Sequence, residues 1–471
     1  MKKFFLALLL LVVVIGLVGP KFAGNSFNNQ LDYFAEKLSE QPFYKASIED
    51  REQGWFSTSA SLVISLDMGE LAGSMNSADQ DALSFTVPIK AQHGPVLTQS
   101  GLGLGWVDWQ VNLTLSEPSE NLELPEGNAF IYSAEGIYGL LGTTSYSDLV
   151  PALTYTDPES GLTFSTTGWQ GNARLTTDTF DYESDQASSF EVSVFGTKVA
   201  SVENMTVKSD IEAGLMQTWE QSLYNGVATI SIGTMSFVNP STSEETRLDN
   251  VVMDLDSDYD TSTELGDILI STKIASFVNS TFTMQDLQLD YAINNLQRSF
   301  FKAYQKMSED IIDSPEQADV IMQAFLQDSV LEQLQANPEL NLPQIKGVIN
   351  ESKFDGYANS KLVDVQALPD TLDDPAFWAE HAVVDAKLLV EEGAALFIAE
   401  MTLRSQLRAN PQFSQMSEED KNAIVAQQSQ ATIEALVQQG LLTKIDEGYE
   451  FTFTMENAQA MLNGNPMPLP F

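Results

Sequence analysis

The chain opens with Met1-Lys2-Lys3 and then runs from Phe4 to Gly19 without a polar side chain. A basic start ahead of an apolar body fits either a cleaved signal or a retained signal-anchor. A helix over this run spans about 24 Å of a hydrocarbon core about 30 Å thick. Extending it to Ala23, with Lys21 snorkelling outward, nearly closes the gap. Small residues are poorly placed for cleavage: Gly19 precedes Pro20, and Ala23 has Lys21 two positions back. The pattern therefore favours an anchor over residues 1–24, with the lysines inside and the rest of the chain outside.

Leu31, Phe34 and Leu38 follow at helical spacing and predict an amphipathic linker helix within residues 25–42. The period then changes to two. Phe56, Thr58, Ala60, Leu62, Ile64 and Leu66 alternate with serines, which marks a strand with one wet face. Leu83 to Lys90 and Val107 to Leu115 repeat the pattern, and Pro88 places the former at a sheet edge or bulge. Ser116 to Glu183 is turn-rich and acidic, with strands expected near Gly161–Phe164. Short alternating runs resume from Phe190 to Tyr291, without long helices between them, and imply an antiparallel meander.

Helical spacing returns at Leu296, Phe300 and Tyr304. Ser314-Pro315-Glu316-Gln317 has the form of a capping box, followed by the stripe Met322, Leu326, Val330 and Leu334. Two further helices are predicted around Leu396–Leu407 and from Ser417 to Gly440, with strands near 361–368, 383–390 and 449–455 and a turn at Asn463-Gly464. The fold class is α+β: an extended, mainly antiparallel β meander body, with a helical segment and terminal strands near the C-terminus, preceded by one transmembrane helix. The expected divisions are 1–24, 25–42, a β-rich domain over 43–295, and an α+β region over 296–471 packed on the same body.

Composition narrows the function. The 471 residues include 66 Asp plus Glu against 23 Lys plus Arg, a net charge of −43. That field repels phosphate backbones and anionic headgroups, so neither nucleic-acid binding nor electrostatic adsorption to a membrane is expected. There is no cysteine, which excludes a thiol nucleophile and thiolate metal sites.

Of the two histidines, His93 precedes Gly94-Pro95 and His381 ends Trp378-Ala379-Glu380; both suit structural hydrogen bonds better than catalysis. Asp254, Asp256, Asp258 and Asp260 suggest calcium, but neither register supplies the glycine that an EF-hand loop needs, so a solvated strand face is the better reading. Gly101-Leu102-Gly103-Leu104-Gly105 lacks dinucleotide-binding spacing and reads as a turn. No catalytic, cofactor or metal residues are assigned.

Arg51-Glu52-Gln53-Gly54-Trp55-Phe56-Ser57-Thr58 resembles the Gly-x-Phe-Ser strand opening of the YdgA family of proteobacterial envelope proteins, whose function is uncharacterised. Gln92-His93-Gly94-Pro95 is similar to that family's His-Gly-Pro element, and Met253–Gln305 and Ala460–Gly464 also look alike. Gly54, Phe56, His93, Gly94 and Pro95 are therefore the motif residues of interest. The resemblance implies a single-pass protein of the bacterial inner membrane with its bulk in the periplasm. The expected role is non-catalytic: binding an envelope component such as lipid, scaffolding another envelope protein, or self-association into a homo-oligomer. The alternative is a periplasmic hydrolase using His93 with carboxylates.

Overall fold

The computed structural model describes residues 2–40, 44–66, 83–114, 121–128, 130–214, 217–218, 223–369, 371–408 and 416–469. The chain divides into two compact units, Met1–Glu220 and Gln221–Phe471. The sequence-based boundary at 295/296 falls inside the second unit, because the strand ending at Gln297 also pairs with a strand that follows the next helices.

In the first unit a single helix, α1 (Lys2–Ser39), joins the predicted anchor to the predicted linker. The expected span Phe4–Gly19 lies in its first half, where the side chains of residues 1–15 and 17 are outside the described ones. No helix among the described residues is long and apolar enough to cross a membrane. Pro20 lies inside α1 and removes one hydrogen bond from its ladder. The second half does not stand free as a linker. Phe27, Leu31 and Phe34 pack with buried Ala35 against Leu62 and Ile89 of the sheet, since this is the helix's apolar stripe.

That sheet contains β1 (Tyr44–Gln53), β2 (Ser57–Leu66), β3 (Leu83–His93), the small hairpin β4 (Val96–Leu97) and β5 (Gly103–Leu104) beside it, and β6 (Val107–Leu113). It continues with β7 (Leu122–Glu123), β8 (Tyr132–Tyr138), β9 (Thr144–Val150), β10 (Leu153–Thr156) and β11 (Leu162–Thr166). The last strands of the unit are β12 (Trp169–Leu175), β13 (Phe180–Ser184), β14 (Ser188–Val194) and β15 (Thr197–Ile211). Antiparallel pairing runs β1-β2-β3-β6-β8-β9-β12-β13-β15-β14-β11-β10-β7. Pro88 falls just beyond Ile89↔Val111, where the pairing of β3 with β6 stops, so its missing N–H is not needed on that side.

Two expectations change here. Phe56 is not on the strand face but in the β1–β2 turn, 51% exposed. Residues 121–183 form a run of strands and not mainly turns; their Ser, Thr and Tyr content hides the apolar period. Leu115 and residues 116–120 lie outside the described ones.

The second unit is a meander: β16 (Gly226–Val238), β17 (Glu245–Asp260), β18 (Leu265–Val278) and β19 (Thr283–Gln297) pair in order. Helices α2 (Arg298–Asp313), α3 (Ala318–Phe325) and α4 (Leu331–Gln335) follow. The meander resumes with β20 (Glu339–Ile349), β21 (Ser352–Leu362), the short helix α5 (Pro375–His381) and β22 (Ala382–Glu391). Helices α6 (Glu392–Arg408) and α7 (Glu418–Gln438) precede β23 (Thr443–Ile445), β24 (Gly448–Glu456), β25 (Gln459–Leu462) and β26 (Asn465–Met467). The protein is thus β-rich, built on extensive antiparallel pairing.

Ser417 caps α7, its hydroxyl accepting from the Asp420 N–H at 3.2 Å. Ser314 makes no such bond: Pro315–Gln317 is a 3-10 turn, so the expected capping box does not form. A π turn, Leu326–Val330, interrupts the following stripe, and Met322 is 39% exposed. Asn463 and Gly464 both have positive φ, as a two-residue hairpin turn requires.

Candidate functional site

The apolar face of the second unit's sheet is covered at two places. Around β20, β21, β22 and β24, buried Ile349, Phe354, Val390 and Tyr449 pack with Ala394 and Ala395 of α6 and Ile433 of α7. Leu287 of β19 reaches this cluster. Farther along, Tyr259 and Leu296 pack with Leu223 and with Phe301 of α2, and Ile293 of β19 joins them. Leu287, Leu289, Tyr291 and Ile293 share one face of β19, because side chains alternate along a strand.

Between the two covers the floor is open. Met253 lies in register with Ile230 and Thr272, and Thr272 with Leu289; Leu255 lies in register with Ala228 and Ile270, and Ile270 with Tyr291. Met253 is 41% exposed, Leu255 36% and Leu289 39%. Sequence reasoning placed these residues on an apolar strand face but could not show that helices leave them bare. The aspartates opposite behave as a solvated face. Asp254 accepts from the Thr229 hydroxyl at 2.8 Å, and Asp256, Asp258 and Asp260 are exposed. Among the described residues no cluster of His, Cys, Asp or Glu could hold a metal ion.

In the first unit the motif residues converge on α1. A bulge at Asp50, with positive φ, turns Arg51 onto Asp32 of the helix in a two-pronged ion pair. That guanidinium holds the Asp32 carboxyl below its ordinary range. Gln53 donates to Asn25 at 2.8 Å. Thr58 and His93 are each 2% exposed, with Thr58 Oγ1 3.1 Å from His93 Nε2, and Asn28 of the helix donates to the same hydroxyl at 3.4 Å.

The His93 N–H donates to the Phe56 carbonyl at 2.7 Å, tying together the two elements that carry the family resemblance. The ring lies where a Cβ on Gly24 would fall, so only glycine lets α1 approach this closely. Gly94 meets the Gly105 carbonyl in the same way, and the Gly105 N–H returns a bond to Pro95 at 3.1 Å. Burial pushes the His93 pKa down; the Trp55 backbone opposes this and the Lys21 charge adds to it. Gly54, Phe56, His93, Gly94 and Pro95 thus form or adjoin the seat of a helix. Beside that seat a cavity of about 700 Å³ is lined by Phe22, Phe27, Trp106, Trp109 and Tyr138. His381 is elsewhere, its Nδ1 2.9 Å from the Val363 carbonyl.

A polar relay crosses β9, β12 and β13. Trp169 Nε1 donates to Tyr182 Oη at 2.6 Å, and Tyr182 donates to Asp148 at 3.2 Å. Burial raises the Asp148 carboxyl above its ordinary value and, with Asp148 nearby, pushes the Tyr182 phenol up to about 12. No sequence signal marked this relay, since its members are far apart along the chain.

No curated protein and no solved structure matches the chain. Residues 1–470 match one family throughout, and the chain belongs to it: DUF945, bacterial proteins of unknown function.

Proposed function

We propose that this is a YdgA-like envelope protein, anchored in the bacterial inner membrane by α1 with its body on the periplasmic side, that binds acyl chains without catalysis. What supports this reading is the open floor of the second unit, where Met253, Leu255 and Leu289 are exposed between two helical covers. An acyl chain laid there would remove apolar surface from water at about 25 cal/mol per Å². The hydrolase alternative draws no support from His93, which is buried and faces the Thr58 hydroxyl.

The test is native mass spectrometry with lipid extraction on the full-length protein and on a Met253→Glu/Leu289→Glu variant. A stoichiometric phospholipid on the wild type that the variant lacks is the expected result. Equal lipid on both, held only around the anchor, would overturn the reading and favour a scaffold.

A further inference from the structure

One end of the first unit's sheet carries a collar of exposed apolar tips. Register puts the β1–β2 turn, the end of β3, the start of β6 and the β8–β9 turn side by side, through Ser57↔Gln92, His93↔Val107, Val107↔Tyr138 and Tyr138↔Thr144. At these tips Leu141 is 97% exposed, Leu102 89%, Leu104 67%, and Trp55 and Phe56 each 51%. Such a concentration of bare leucine and aromatic surface marks an interaction site.

The same end is where α1 leaves the sheet. Ala35 packs at Ile89, and Ala23 at Ala91 and Val107, so the helix runs antiparallel to β3 and its apolar first half departs past the tips. Phe22, at the point of departure, is 71% exposed. Charge agrees. In a chain with 66 acidic residues, Gly94–Trp106 and Tyr138–Thr144 contain no charged residue at all, and Gly16–Phe27 contains only Lys21.

The loops are also held in shape. The fully buried Asp108 turns inward and accepts from the Ser100 N–H at 2.8 Å and its hydroxyl at 2.7 Å, and Gln92 accepts from the Thr98 and Gln99 N–H groups at 2.7 and 2.8 Å. Leucines exposed on a braced, uncharged loop beside an apolar helix match the depth-ordered surface of a lipid interface, where tryptophan and tyrosine also settle.

We infer that this collar inserts into the outer headgroup region of the bilayer crossed by α1, so that the first unit rests on the membrane instead of floating above it. The inference depends on the anchor reading. It is tested on the full chain, whose lack of cysteine permits single labelling sites. Leu102→Cys, Leu141→Cys, Phe195→Cys and Val12→Cys are labelled with bimane. Each is reconstituted in phosphatidylethanolamine and phosphatidylglycerol vesicles containing lipid with a doxyl quencher near the headgroup, or, for position 12, near the end of the acyl chain at the bilayer centre. Phe195 is the control: it is 80% exposed, but on the β14–β15 turn, at the opposite end of β15 from the collar.

Quenching at 102 and 141 severalfold stronger than at 195 is expected. Unquenched labels at 102 and 141 with a quenched label at 12 would overturn the collar and leave the anchor standing. Labels at 102 and 141 that are dry yet unquenched would assign the collar to a second copy of the chain, again overturning it. If position 12 is also unquenched, the anchor reading fails and takes the collar with it.

Discussion

The imidazole of His93 occupies the space that a side chain at Gly24 would need, so a strand end and a helix sixty-nine positions apart in sequence numbering are fitted to each other by the absence of one Cβ. Gly24→Ala should lower stability by about 1–3 kcal/mol through overpacking. Adding His93→Ala should recover part of that loss, since the clash disappears with the ring. A double-mutant cycle in denaturant, read on the full chain in detergent, measures the coupling; additive effects would mean that the two positions do not touch.

Acid should loosen the same joint. Burial holds the His93 pKa below its ordinary 6.5, so the unfolded state binds more protons than the folded one. The histidine's contribution is complete above pH 6.5 and declines as pH falls from there through the folded value. Melting temperatures across this window should fall more steeply for the wild type than for His93→Gln; parallel curves would refute it.

Two hydrogen-bonding anchors of α1 should differ in weight. Thr58→Val leaves buried His93 and Asn28 without their shared hydroxyl and should cost about 1–3 kcal/mol. Arg51→Ala removes an ion pair whose Asp32 side is 54% exposed, and should cost under about 1 kcal/mol despite its better geometry. Denaturation midpoints rank the two; the reverse order would show that the charged pair, not the buried hydroxyl, fastens the helix.

Asp148 makes the opposite pH prediction to His93. Its folded pKa is raised above the ordinary 3.8, so the wild type loses stability as pH rises from 3.8 through the folded value. Asp148→Asn keeps an acceptor for Tyr182 and escapes that loss. Its melting temperature relative to wild type should therefore climb across this window and stay higher at pH 7; a constant difference would exclude the carboxyl as its source.

Strands with a clean apolar alternation were legible from the sequence, as at Ala60-Leu62-Ile64 and Tyr449-Phe451-Phe453. Those at 132–150 were not, because serine, threonine and tyrosine fill faces that pack little hydrocarbon. His93 and Gly94 stand out in the sequence as neighbouring motif residues, yet nothing local points to Gly24, Arg51 and Thr58 as their companions. Such companionship depends on which strand lies under the helix. The bare floor at Met253 and Leu289 was hidden for a related reason: alternation assigns a residue to a face but does not reveal where a covering helix ends.

The contacts along α1 set more than position. Arg51, Gln53, Thr58 and His93 hold successive turns of the helix from one side, leaving it no freedom to spin against the sheet. A flexible leash would let the body swivel; a mast keyed along its length transmits torque. Any rotation or tilt of α1 beyond Pro20 would be carried into the strands of the first unit.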